Sequence, residues 1–244
     1  MKVLGIDTTA GIASVAITEK GKILSDFTLD SGNTHSTTLL PMIEASFKAL
    51  GITPRDVGLY AVAAGPGSFT GVRIGAAAIK GLAFADGTPC IGVSSLAAMA
   101  ENLRELCGIV CPVINARREQ VYTALFEVDG AHHPRRLTED DTLPIASLNG
   151  LLSSFEGKNV YVVGDAYDLV MKEVTLQNVK PTPALIRQQR AYGVASLGER
   201  RFREATGAER EEMTAENLSV IYLRKPQAER EREERIAAEK EKEI

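Results

Sequence analysis

One pattern of apolar runs and turns occurs twice along the chain, and this duplication constrains the fold more than any other feature. The first half opens with "KVLGIDTTAGIASVAITEKGKILSDFTL", three strand-like runs separated by short turns, and continues with two helix-like stretches that flank a buried strand. From residue 109, "IVCPVINARREQVYTALFEV" again predicts strand, tight turn and strand. The pattern therefore predicts an α/β fold with two similar lobes, each a mixed sheet flanked by helices.

The boundaries of the two lobes follow from this repeat. We expect an N-terminal lobe over residues 1–105 and a C-terminal lobe over residues 106–225. The long helical stretch "PALIRQQRAYGVASLGERRFREA" in the second lobe is expected to break near Gly193. Residues 226–244 interleave acidic and basic side chains with almost no large apolar residue, which is typical of a solvated helical tail.

Composition limits the class of protein and its partners. The chain has 244 residues, a net charge of −4 and no apolar run of membrane-spanning length, which predicts a soluble protein of the cytosol. The acidic balance counts against nucleic-acid binding by this chain alone. Its three cysteines and three histidines show neither a disulfide framework nor the spacing of a metal site.

A glycine-rich stretch, "AAGPGSFTGVRIGAAAIKGLA" at residues 63–83, resembles a phosphate loop in composition only. The pattern GxxxxGK[ST] fails because Thr70 and Val72 stand where its second glycine is required, and GxGxxG fails because the third glycine comes one residue late. We interpret the stretch as a tight connection from a strand to a helix, with Ser68 or Thr70 as the helix N-cap.

The helix after this turn carries glycine at positions 71, 75 and 81, and each interior glycine costs about 1 kcal/mol relative to alanine. Such a cost is offset when another backbone approaches closely. Two alternatives stay open: the small-residue stripe packs against a second protein, or against the preceding helix of the same lobe. The candidate interface combines that stripe with the apolar face of the preceding helix: Leu39, Met42, Ile43, Phe47, Gly71, Gly75, Ala78 and Leu82.

A second candidate site is "GIDTTAG" at the end of the first strand. The carboxylate of Asp7 and the hydroxyls of Thr8 and Thr9 could hold Mg²⁺ and a nucleotide phosphate. Aspartate and threonine are also ordinary turn residues, so this is the weaker candidate.

Several motifs in order carry a resemblance that covers nearly the whole chain: "GIDTT…SVAI", "HSTTLLPMI", "AAGPGSFTGVRIG", "INARREQVYTALFEV", "VVGDAY" and "IYLRKPQAER". Together they resemble the bacterial TsaB (YeaZ) family. The resemblance implies two RNase H-like lobes of the actin, Hsp70 and sugar-kinase (ASKHA) type. It also implies a part in forming threonylcarbamoyladenosine at position 37 of tRNAs that read ANN codons.

Within that family, the resemblance implies a non-catalytic subunit without a cofactor or metal of its own. It would bind and activate a TsaD-like catalytic paralogue, together with a TsaE-like ATPase, and would form a homodimer when alone. Transfer RNA would be met only through the complex, and ATP could lie at the partner interface. At the position of the second half that matches Asp7, the resemblance implies an aspartate, and Asn115 departs from it. The chain also has no HxxxH pair like that of the catalytic paralogue.

Three other functions remain open from the sequence. A small sugar- or acetate-type kinase of the same fold would use Asp7 to position a metal. A metallopeptidase-like protein would need the histidine pair that the chain lacks. Direct RNA binding would need a basic face, for which the available side chains are Arg117, Arg118, Arg200, Arg201 and Arg203.

Overall fold

The computed structural model describes residues 1–224 and shows the first lobe built on a five-stranded mixed sheet. Its strands are β1 (Lys2–Asp7), β2 (Ala13–Glu19), β3 (Lys22–Leu29), β4 (Val57–Ala63) and β5 (Cys90–Val93). They lie in the order β3-β2-β1-β4-β5, with β1, β2 and β3 antiparallel and β4 and β5 parallel to β1. The lobe's helices are α1 (His35–Leu50), α2 (Phe69–Asp86) and α3 (Ser95–Glu101), with a 3-10 turn at Pro54–Asp56.

The second lobe repeats this topology. Its strands are β6 (Cys107–Arg117), β7 (Gln120–Thr123), β8 (Phe126–Asp129), β9 (Arg135–Arg136), β10 (Asp141–Pro144), β11 (Val160–Val163) and β12 (Val179–Lys180). The order β10-β7-β6-β11-β12 matches that of the first sheet, with β6 antiparallel to β7 and parallel to β11. The duplication is therefore confirmed, as are the two RNase H-like lobes of the ASKHA fold.

The remaining helices are α4 (Leu148–Ser153), α5 (Tyr167–Glu173), α6 (Ala184–Arg187), α7 (Ala191–Glu204) and α8 (Gly207–Glu211), with a 3-10 turn at Ile145–Ser147. The helical stretch is interrupted between α6 and α7 at residues 188–190, so the expected interruption near Gly193 is wrong. Gly193 lies inside α7, where a Cβ atom would overlap the carbonyl oxygen of Ala98. Glycine at this position allows α7 to pack closely on α3.

Helix α7 returns to the first lobe. Val194, Ala195 and Leu197 share a core cluster with strand residues of β4, and Leu218 is buried in the core on the other face of that sheet. Helix α7 and Leu218, which fall within the expected C-terminal lobe over 106–225, thus pack against the N-terminal sheet. The predicted tail, residues 226–244, lies outside the described residues. Within residues 1–224, no helix is long and apolar enough to cross a membrane.

Candidate functional site

A cleft of about 680 Å³ lies between the lobes, where the turns after β1 and β6 face each other. The duplicated topology explains this meeting, because both turns follow the central strand of their sheet. The first lobe contributes the turn at 9–11 and the start of α2 at 67–70. The second lobe contributes residues 114–117, Tyr122 and Asp165, and the C-terminal segment at 221–224 completes the wall.

Of the predicted nucleotide-binding residues, Thr9 lines this cleft, whereas Asp7 and Thr8 are buried and do not line it. Asp7 is buried, and its Oδ1 accepts hydrogen bonds from the Thr9 amide at 2.9 Å and the Thr9 hydroxyl at 2.6 Å. The Thr8 hydroxyl donates to the carbonyl oxygen of Gly71 at 2.8 Å. These contacts commit both threonine hydroxyls to internal partners, while Oδ2 of Asp7 has no hydrogen-bond partner among the described residues.

Burial raises the pKa of Asp7, because removal from water disfavours the charged carboxylate. The two hydrogen bonds from Thr9 and the nearby His35 oppose that shift, and the charge of Asp165 adds to it. His35 itself is held by its Nε2 atom, 2.6 Å from the carbonyl oxygen of Ala10. Asp7 is therefore a poorly solvated carboxyl group that favours its neutral form more than a free aspartate does.

The sequence analysis gave no role to Asp165, the second carboxylate of the cleft. It follows β11 in the motif "VVGDAY" and accepts a hydrogen bond from the Asn115 amide at 2.9 Å. Asp165 is solvent-accessible inside the cleft, where the surrounding atoms partly desolvate it and raise its pKa. A Gly-Asp pair at the end of a buried strand was the signal that could have found it.

Asn115 occupies the place where an aspartate was expected. Its Oδ1 accepts the amide of Arg117 at 2.8 Å, so the side chain supports the turn of its own lobe. Among residues 1–224, no three histidine, cysteine or acidic side chains group so that they could hold a metal ion. The charge of Asp165 raises the pKa of Asp7, but no third candidate metal ligand joins these two carboxylates among the described residues.

The candidate interface residues of α1 are placed differently from the expectation. Leu39, Met42, Ile43 and Phe47 are buried in the core of the first lobe, together with residues of β1, β2 and β4. Their own sheet already covers them, which counts against direct contact of these side chains with a partner. Their assignment to an interface stays a prediction.

The glycine stripe of α2 also faces inward. A Cβ atom at Gly71 would overlap the carbonyl oxygen of Thr8, and one at Gly75 would lie 2.6 Å from the Thr8 hydroxyl. Ala78 and Leu82 are partly buried against the same core. The close approach inferred from these glycines exists, but the second backbone is the β1 turn, which neither alternative had considered.

The surface that α1 and α2 do expose carries other apolar and small residues. Phe84 is 75% exposed and Leu40 is 56% exposed, and Ala77 and Gly81 are exposed as well. A Cβ atom at Gly81 would meet no atom within 4 Å. Ala77, Gly81 and Phe84 are spaced to share one side of α2, and we call these three residues the outer face. Phe84 was missed because it lies off the apolar stripes that the helical spacing marks.

The arginines considered for RNA contact are largely engaged within the protein. Arg201 donates to the carbonyl oxygen of Gly92 at 2.7 Å, and Arg203 pairs with Glu199. Arg200 lies 3.7 Å from Glu204. Two of these side chains pair with acidic groups and the third donates to a carbonyl oxygen, which weakens the case for a basic RNA-binding face.

Comparison with known proteins identifies relatives along most of the chain. The model of the family TsaD, tRNA N6-adenosine threonylcarbamoyltransferase, matches residues 29–232. The tRNA threonylcarbamoyladenosine biosynthesis protein TsaB of Bacillus subtilis (strain 168) is 28% identical over 231 residues, which cover 94% of this chain and 96% of that protein. The protein of the same name from Escherichia coli (strain K12) is 37% identical over 131 residues, 53% of this chain and 56% of that one.

A solved structure gives the same answer for the fold. YeaZ from Pseudomonas aeruginosa has a TM-score of 0.76 and 25% identity, with 91% of this chain and 99% of that chain covered. Sequence relatives, family match and structural neighbour agree with the motifs quoted above. The chain therefore belongs to the TsaD group of proteins and, within it, to the TsaB (YeaZ) family.

Proposed function

We propose that this chain is a non-catalytic subunit in the biosynthesis of threonylcarbamoyladenosine in tRNA. It binds and activates a TsaD-like catalytic partner, and a TsaE-like ATPase joins the pair. Support for the pathway comes from the relatives, which are named tRNA threonylcarbamoyladenosine biosynthesis proteins. Support for the mode of action comes from the outer face.

The outer face is the observation that carries the proposal. Phe84 leaves most of its ring in water, and covering such a side chain contributes about 1.5–3 kcal/mol to association. Gly81 lies one helical turn before Ala85 and one after Ala77, and no contact within the chain requires a glycine there. An interior glycine that costs about 1 kcal/mol at an exposed position is explained when a partner helix approaches closely.

The cleft supports the non-catalytic part of the proposal. The hydroxyls of Thr8 and Thr9 form hydrogen bonds within the protein, and asparagine stands at position 115 of the facing turn, where an acidic side chain was expected. The activity is therefore assigned to the partner, and this chain contributes a binding surface. Homodimer formation through the outer face, tRNA contact only within the complex, and ATP bound between the two chains are further parts of the proposal.

The test compares two charge insertions at equally exposed apolar side chains. Phe84→Glu places a charge on the outer face, and Leu185→Glu places one on α6, where Leu185 is 77% exposed. We expect Phe84→Glu to weaken binding to the purified TsaD-like partner at least about tenfold, because a desolvated charge costs well over 1.4 kcal/mol. Leu185→Glu should bind like the unmodified chain.

The same variants are then assayed for threonylcarbamoyladenosine on tRNA, with the partner, the ATPase, ATP and threonylcarbamoyl-adenylate supplied. We expect product formation to require this chain and to fall with Phe84→Glu. Equal rates without the chain would contradict the accessory role. Metal-dependent ATP turnover by the isolated chain, lost on Asp7→Asn, would instead support the kinase alternative.

A further inference from the structure

The last described residues cross the cleft and contact both lobes. The amide of Ile221 donates to the carbonyl oxygen of Ala64 at 2.7 Å, at the end of β4. Gly65 has φ of +117°, and a Cβ atom there would overlap the carbonyl oxygen of Ile221. Glycine at position 65 therefore leaves the space in which Ile221 packs on the first lobe.

Tyr222 fixes the segment to the start of α2. Its ring lies 5.0 Å from the ring of Phe69, and its hydroxyl accepts a hydrogen bond from Arg73 Nε at 2.8 Å. The guanidinium of Arg73 in turn lies 3.7 Å from the centre of the Phe69 ring. This stack of a cation and two rings anchors the segment to the first lobe at the mouth of the cleft.

Arg224 makes the connection to the second lobe. Its Nη1 donates to the carbonyl oxygen of Ala116 at 2.8 Å. The three residues that follow Ala116 all have left-handed backbone conformations, with φ of +65° at Arg117, +53° at Arg118 and +55° at Glu119. Non-glycine residues reach this region only at a cost, so the turn after β6 depends on the contacts that surround it.

We propose that residues 219–224 form a strap that holds the two lobes together across the cleft and stabilises the strained turn after β6. The strap is anchored on the first lobe by Ile221 and Tyr222 and on the second by Arg224. Because all of residues 221–224 line the cleft that contains Asp165, the strap also sets how far the cleft can open. Release of Arg224 frees the turn at 116–120 and lets the lobes separate.

Hydrogen–deuterium exchange of the full-length chain tests the strap. Arg224→Ala removes the hydrogen bond to Ala116, and we expect amide exchange in a peptide covering residues 116–120 to become about fivefold faster. Arg224→Lys keeps one donor and should give an intermediate rate. The control is Arg55→Ala, the same change of charge at a side chain that is 85% exposed on the first lobe.

Tyr222→Ala separates a strap from a local contact. Tyr222 contacts Phe69 and Arg73 of the first lobe, yet a strap under this proposal transmits its loss to residues 116–120 of the second lobe. We expect exchange there to rise about twofold to threefold. The proposal is overturned by any of three results: an unchanged rate at 116–120 in Arg224→Ala, a Tyr222→Ala effect confined to the first lobe, or an equal acceleration in Arg55→Ala.

Discussion

The two turns that face each other across the cleft have the same topological position and opposite physical character. After β1, the turn at Asp7–Thr9 is buried, and α2 packs directly on its backbone at Gly71. After β6, the turn at Asn115–Glu119 is more open and holds three consecutive residues in the left-handed region. The two lobes thus share one chain path, but α2 packs on the buried first turn, whereas the second turn is an exposed hairpin contacted by the C-terminal segment.

This difference shows where the fold tolerates change. A buried turn is limited by van der Waals space and by hydrogen bonds to buried groups, and violating either costs about 1–3 kcal/mol. An exposed turn is limited mainly by backbone conformation, which costs about 1–2 kcal/mol per residue. Substitutions in the first turn should therefore destabilise the protein more than substitutions in the second.

The largest expected effect is at the contact between α2 and the buried first turn. Gly71→Ala should lower the free energy of unfolding by about 3 kcal/mol, because the new methyl group would overlap the Thr8 carbonyl oxygen. Gly81→Ala in the same helix should raise it by about 1 kcal/mol, because nothing lies near that position. Denaturant unfolding of both variants measures the contrast, and equal effects at the two sites would contradict the assigned packing.

The next effect concerns the hydrogen bonds to Asp7. Thr9→Val removes the hydroxyl that donates to Oδ1 and should cost about 2 kcal/mol, because a buried carboxyl loses a partner. Thr9→Ser keeps the hydroxyl and should cost less. Unfolding midpoints of the two variants test this, and a Thr9→Val protein as stable as Thr9→Ser would show that the hydroxyl is not needed.

The pH dependence of stability should reveal the buried carboxyl of the first turn. Burial raises the pKa of Asp7 in the folded state, so ionisation of this carboxyl group opposes folding. The stability that protonated Asp7 contributes is present below pH 3.8 and is lost as the pH rises through the raised pKa. Asp7→Asn should thus gain stability relative to the unmodified chain over that rise and match its trend below it. Unfolding measured at several pH values decides, and a relative gain by the unmodified chain would contradict the argument.

The smallest effect is at the second turn. Glu119→Gly should raise the free energy of unfolding by about 1 kcal/mol, because glycine adopts a φ of +55° without the Cβ penalty. The matched change in the first turn is Ala10→Gly, at a position without positive φ, which should lower stability by about 0.5–1 kcal/mol. Thermal unfolding compares the pair, and a loss of stability in Glu119→Gly would show that other contacts of Glu119 outweigh its strain.

The sequence predicted the strand and helix pattern well because periodicity is a local property. The two helix-like stretches of the first half correspond to α1 and α2, and Ser68 caps α2 by accepting the Gly71 amide at 3.3 Å. The break near Gly193 was predicted wrongly because a glycine required by packing on α3 has the same letter as one that ends a helix. Asp165 was missed because its proximity to Asn115 depends on a contact between distant segments.

By itself the sequence determined the duplicated α/β architecture, the exclusion of both common phosphate-loop motifs, and the family, through motifs that span nearly the whole chain. Its interior glycines also predicted a close neighbour for α2, which exists at Gly71 and Gly75 and not at Gly81. Only the tertiary structure decided that this neighbour is Thr8 and that Leu39, Met42, Ile43 and Phe47 face the core. The physical reason is that helical spacing fixes which residues share a face, whereas the direction of that face depends on elements that fold against it from elsewhere in the chain.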